Sequence, residues 1–169
     1  MNTGKKFEKL FQESCRIQEI SCTRLQDAGY RGGTDENNKQ NSSNNQKRFT
    51  IRNICDFICY APNGSRLWFL ELKSRKTKIT FKELDKQAAR LLKKYQENDK
   101  LHECGFLFEF SEQKDVGFYL NIVDYEDFKN HIGRKSFGYK DDFLRLVTAV
   151  IFPGKRTPRL DILKLMREL

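Results

Sequence analysis

The chain has 169 residues, of which 38% are hydrophobic and 33% charged, with a formal charge of +9 and a pI near 9.3. That length accommodates one domain with a real hydrophobic core, and no run approaches the roughly 20 apolar residues of a membrane span. The opening "MNTGKKFEKLF" lacks the apolar stretch of a secretory signal, so a soluble, cytoplasmic protein with no membrane partner is expected.

Thr3 is placed to cap a first helix in which Phe7, Leu10, Phe11 and Cys15 recur at helical spacing, with a polar continuation to about "RLQDAG". "GYRGGTDENNKQNSSNNQKR", residues 29–48, follows. It is rich in Asn, Gly and Ser and nearly free of apolar residues, which predicts a long loop or projecting arm within a single domain spanning residues 1–169. Two apolar strands come next, joined by the turn chemistry of "APNG". In the first, Ile54, Asp56, Ile58 and Tyr60 share a face; in the second, Leu67, Phe69, Glu71 and Lys73 do. Both faces of this hairpin are apolar, which places it centrally in a covered sheet.

"TFKE" predicts a capping box, with Thr80 at the N-cap and Glu83 three residues on. The helix it opens carries an apolar stripe of Phe81, Leu84, Ala88, Leu91, Leu92 and Tyr95. Gln87 lies at the stripe's edge, and Lys86, Arg90, Lys93 and Lys94 lie on the other side. "GFLFEF" and "VGFYLNIV" read as two further strands across the polar "SEQKD", and a short helix is expected near Asp124. "DDFLRLVTAVIF" and "RLDILKLMREL" are read as helical. The order α-β-β-α-β-β-α predicts an α/β fold, a mixed sheet with helices on both faces.

Charge is segregated along the chain. Residues 72–100 hold ten basic and four acidic groups, residues 129–169 hold the same, and residues 101–128 between them hold one and seven. Two basic blocks around an acidic one suit a polyanionic partner, and from charge alone a solvated lysine-rich surface fits them as well. The five cysteines, Cys15, Cys22, Cys55, Cys59 and Cys104, are odd in number and scattered, which argues against a disulfide framework. The spacing of Cys55 and Cys59 does not fit a zinc ribbon and there are only two histidines, so structural zinc is not expected.

The hairpin carries the chemistry. Charged side chains in apolar strands are costly unless paired or bound to a metal. Glu71 and Lys73, at i and i+2, project together, and antiparallel pairing lets Asp56 face them. A divalent cation between two carboxylates removes their repulsion, and oxygen ligands suit Mg²⁺ or Mn²⁺. The backbone carbonyl of Leu72 is a candidate further ligand, Gln87 could steady a water, and Glu8 on the first helix could assist. Each residue alone also has a plainer reading. Asp56 suits a turn or an edge strand, Glu71 with Lys73 a surface cross-strand ion pair, Gln87 a stripe boundary and Glu8 a first-turn acid favoured by the helix dipole.

D-x14-ExK after a glutamate-bearing helix resembles the PD-(D/E)xK nuclease superfamily. More narrowly, "GKKFEKLFQES", "CDF", "LELKS", "FKELDKQAARL", "GFLFEF", "GFYLNIVDYEDF", "GRKSF" and "PRLDIL" resemble, in order, RecU-type Holliday junction resolvases of Gram-positive bacteria and their phages. "TRLQDAG" is similar to phage members in particular. The resemblance implies a restriction-endonuclease-like fold and a homodimer that cleaves four-way DNA junctions with Mg²⁺ or Mn²⁺ in a bacterial or phage-infected cell. It also implies Asp56, Glu71, Lys73 and Gln87 as the catalytic set, with Glu8 assisting. The Asn-rich stretch stands where such enzymes carry a stalk. The chain has Asn53, Ile54 and Cys55 where the bacterial enzymes usually carry hydroxyl residues. Arg134, Lys135, Lys86, Arg90, Lys93 and Lys94 are candidate phosphate partners. The rival readings are another nuclease of the same superfamily and a catalytically silent nucleic-acid-binding protein.

Overall fold

A computed structural model describes residues 2–25, 54–64, 66–97 and 102–169. The arm at 29–48 lies outside these residues.

The fold is α/β: among the described residues a mixed seven-stranded sheet runs in the order β1-β2-β3-β5-β6-β8-β9, with helices on both faces. In chain order the elements begin with α1 (Thr3–Ile17), β1 (Ser21–Arg24), β2 (Phe57–Tyr60), β3 (Leu67–Arg75) and β4 (Lys78–Thr80). Then come α2 (Phe81–Tyr95), β5 (His102–Phe110), β6 (Val116–Asn121) and α3 (Ile122–His131). β7 (Ser136–Gly138), β8 (Arg145–Val150), β9 (Arg159–Leu160) and α4 (Ile162–Glu168) complete the chain. β3 and β5 pair in parallel at the centre, and every other pair in the sheet is antiparallel. Among the described residues, β4 and β7 form a separate two-stranded ribbon.

The alternation along β3 sorts its side chains into two cores. Trp68, Leu70 and Leu72 pack with Phe7 and Phe11 of α1, Phe57 of β2, and Ile162 and Leu165 of α4. Phe69 packs on the other face with Phe106, Phe108, Phe110 and the α2 stripe of Leu84, Ala88 and Leu91. Buried between two helical layers, β5 has no solvent face, which is why "CGFLFEF" reads as a nearly unbroken apolar run. Ser14 ties the α1 layer to the far edge of the sheet. Its hydroxyl donates to the Leu10 carbonyl at 2.7 Å and accepts the Leu160 N–H at 3.0 Å.

The capping box is present as read: the Thr80 hydroxyl accepts the Glu83 N–H at 3.2 Å and the Glu83 carboxylate accepts the Thr80 N–H at 2.8 Å. Other expectations are corrected. The cap of α1 is Asn2, whose Oδ1 accepts the Lys5 N–H at 2.8 Å, and Thr3 is already helical. Glu8 therefore sits beyond the first turn, out of reach of the terminal dipole effect. The helix ends at Ile17, and "SCTR" is a strand paired with β2. "RLVTAV" is strand β8, not helix. Val147 is buried while Leu146 and Thr148 face outward, a period of two that fits its β-branched composition. "ILKLMRE" is helical, as expected.

Candidate active site

Strand β2 begins at Phe57, one residue after Asp56. A regular strand residue turns its N–H and C=O to the same neighbour. Asp56 does not: its N–H donates to the Leu70 carbonyl on β3 at 3.1 Å, and its C=O accepts the Leu25 N–H at 2.8 Å from the β1 side. The ladder breaks there, and the Asp56 carboxylate fills the gap by accepting the Leu72 N–H at 2.9 Å through Oδ2. Strand geometry turns the Leu72 carbonyl to the same side of β3. The Phe57–Leu70 register, continued by one step, sets Asp56 opposite Glu71.

Glu71 is only 7% exposed, and its parallel neighbour on β5 is Phe106. Lys73, on the same face, brings its Nζ to 3.7 Å from Glu71 Oε2. Burial, followed by the Asp56 charge, raises the Glu71 carboxyl to about 8, against the pull of Lys73 and Arg90. Asp56 is also raised, first by burial and further by the Glu8 charge; the Leu72 N–H, Lys73 and Arg24 oppose the shift. A buried carboxyl raised in part by the charge of a second one, with an ammonium alongside, is the kind of site that a cation relieves.

Glu8, from α1, is anchored by Arg24 of β1 at 3.1 Å. Gln87 projects from the edge of the α2 stripe, and its Oε1 is buried without a hydrogen-bond partner, as is Nε of Arg90 one turn along. A buried acceptor left open in this way is a natural ligand or water-binding atom. Glu8, Asp56 and Glu71 do not all bring an oxygen within 4.8 Å of one another; among the described residues the only three-residue ligand set that does is Cys15, Cys22 and Cys59. Mg²⁺ is commonly held by one or two carboxylates with water and substrate phosphate in its other positions. The Asp56–Glu71 pair, the Leu72 carbonyl and Gln87 Oε1 fit that donor type.

Of the expected phosphate partners, Lys86, Arg90, Lys93 and Lys94 lie on α2, and Arg134 and Lys135 lie just before β7. Lys86, Lys93 and Lys135 are exposed, and Arg90 is half-buried within reach of the Glu71 charge. Lys94 is engaged by Glu97 at 2.9 Å and lies over the Phe69 ring at 5.1 Å, and Arg134 is bound to Asp141 at 2.6 Å. Sequence reasoning missed Arg24. Its role depends on β1 pairing beside β2, and only the alternation within a short "SCTR" hinted at a strand.

No protein-family model matches the chain, and no curated protein does. Among solved structures, the chain is similar to Hjc, a Holliday junction resolvase from the archaeal hyperthermophile Archaeoglobus fulgidus. The TM-score is 0.47 with 12% identity, over 71% of this chain and 78% of that one. No helix among the described residues is long and apolar enough to cross a membrane.

Proposed function

We propose that the chain is a divalent-metal-dependent endodeoxyribonuclease of the PD-(D/E)xK type that acts on branched DNA as a homodimer. The observation that carries this reading is the Asp56–Glu71–Lys73 constellation. One carboxylate is pinned by the Leu72 N–H at 2.9 Å, a second is buried with its carboxyl raised to about 8, and a lysine ammonium lies 3.7 Å from it. Burying the Glu71 carboxyl beside a second one costs the fold free energy, a cost that a structural role does not call for.

Asp56, Glu71 and the Leu72 carbonyl would hold Mg²⁺ or Mn²⁺, which when bound supplies Lewis-acid polarisation of the phosphodiester and a water of lowered pKa. Lys73 lies on the face where the attacking water and the phosphate would meet, and its ammonium favours the charge that develops on the phosphate oxygens. Gln87 offers Oε1 as an acceptor that orients a water proton. Arg24 draws the Glu8 carboxylate towards itself at 3.1 Å, which limits how strongly Glu8 repels Asp56. The preference for four-way junctions rests on the likeness of "GRKSF" and "PRLDIL" to the resolvases, and on a surface whose basic blocks suit phosphate contacts over base readout.

The test is cleavage of a labelled mobile four-way junction against a matched linear duplex, in Mg²⁺, in Mn²⁺ and with chelator. Symmetric nicking of the junction in metal alone is expected. Equal cutting of both substrates would replace the resolvase reading by a general nuclease. Binding with no cleavage in either metal would leave a nucleic-acid-binding protein.

A further inference from the structure

Three of the five cysteines converge. Cys15 comes from α1, Cys22 from β1 and Cys59 from β2, and their sulfur atoms all lie within 4.8 Å of one another. Cys22 and Cys59 are direct cross-strand partners. Cys15 and Cys59 are buried in the α1-side core, while Cys22 is half-exposed on the edge strand. Cys55 and Cys104 pack in the opposite core and take no part.

We propose that Cys15, Cys22 and Cys59 form a three-thiolate site for one soft, thiophilic d10 cation such as Zn²⁺. Three sulfurs around a metal at the usual Zn–S length of about 2.3 Å stand roughly 3.8–4.0 Å apart. With every pair already within 4.8 Å, reaching that spacing closes each pair by at most about 1 Å. All three donors are sulfur, with no carboxylate or imidazole in the set, and that donor type selects soft ions and rejects Mg²⁺. Cys22 provides the way in and leaves a fourth position facing solvent. Binding exchanges three S–H bonds for three metal–sulfur bonds, releases up to three protons and changes no oxidation state.

The plainer account is that these are small core residues, since free cysteine is among the most buried residue types. That account does not require three sulfurs from three separate elements to meet at one point. A bound ion would fasten β1, a four-residue edge strand, to both α1 and β2. Arg24, which holds Glu8, is two residues from Cys22 on the same strand. The cation would therefore stiffen one wall of the candidate active site without entering it.

The full chain, reduced and stripped of metal, is titrated with Cd²⁺ while the ultraviolet thiolate-to-metal charge-transfer band is followed. A band that saturates at one ion per chain is expected, unaffected by a large excess of Mg²⁺, with an upward shift in melting temperature. The Cys55→Ser/Cys104→Ser double variant should keep the band. Cys22→Ser, a one-atom change at a half-exposed edge position, should lower Cd²⁺ affinity at least tenfold and abolish the thermal shift. The proposal is overturned if wild type gives no saturable band, if the band follows Cys55 or Cys104, or if Cys22→Ser binds as tightly as wild type. None of these readouts depends on nuclease activity.

Discussion

The Leu72 N–H donates to Asp56 Oδ2 at 2.9 Å, a bond that a ladder partner would make if β2 reached that far. The side chain thus does the work of a missing strand residue. The bond holds the Asp56 carboxylate on this side of β3, where its charge helps raise the Glu71 carboxyl.

Asp56→Asn preserves that bond through its amide oxygen and removes the charge. Cleavage of a four-way junction should fall by ~10²–10⁴-fold. Junction affinity in a gel-shift assay should hold or improve, because one negative charge near the phosphates is gone. Cutting at the wild-type rate would remove Asp56 from the site.

Glu71 sets a pH dependence. Its carboxyl is raised to about 8 in the fold, above its unfolded value, so the folded state binds the proton more tightly. The resulting stability is complete below the unfolded value and is lost as pH rises through about 8. In chelator, the melting temperature of wild type should fall across that window, by a loss on the order of a few kcal/mol. Glu71→Gln should flatten the profile and exceed wild-type stability at the alkaline end. A wild-type profile parallel to the variant's would refute the shift.

Gln87→Leu replaces a buried unpartnered acceptor by an apolar group of similar size. It should stabilise the fold by ~1 kcal/mol in urea denaturation while lowering the cleavage rate. A loss of both would mean that the amide is structural.

Ser14→Ala removes the acceptor of the Leu160 N–H, one of two hydrogen bonds to Leu160 from this layer, and leaves the Gln18 Nε2 bond to the Leu160 carbonyl at 2.7 Å. The buried N–H left behind should cost about 1–3 kcal/mol in urea denaturation. Unchanged stability would show that the Gln18 bond and packing hold the two elements without Ser14.

Lys86→Ala with Lys93→Ala removes two exposed lysines from the outer side of α2. If they touch phosphates, DNA affinity should fall on all sequences alike, and the log–log salt slope should drop by about 1 per lysine. An unchanged slope would assign both to the solvated surface.

The readings that held rest on local signals. The Thr80–Glu83 capping box, the i, i+2 projection of Glu71 and Lys73, and the unbroken apolar run of β5 are each written within a few consecutive residues, and short-range sterics enforce them. The readings that failed concerned weak or short segments. "SCTR" and "RLVTAV" become strands because β2 and β6 offer them ladders, and that partnership is absent from their own composition.

Charge in an apolar strand marks Asp56 and Glu71 as costly from the residue order alone, because desolvation is a property of each side chain and its immediate neighbours. How that cost is shared is a matter of three dimensions. The break at Asp56, the Arg24–Glu8 pair and the meeting of Cys15, Cys22 and Cys59 join residues far apart in the chain. Electrostatics and ligation fall off over a few ångströms of space and are indifferent to sequence separation, so only the folded packing of α1, β1 and β2 could bring them about.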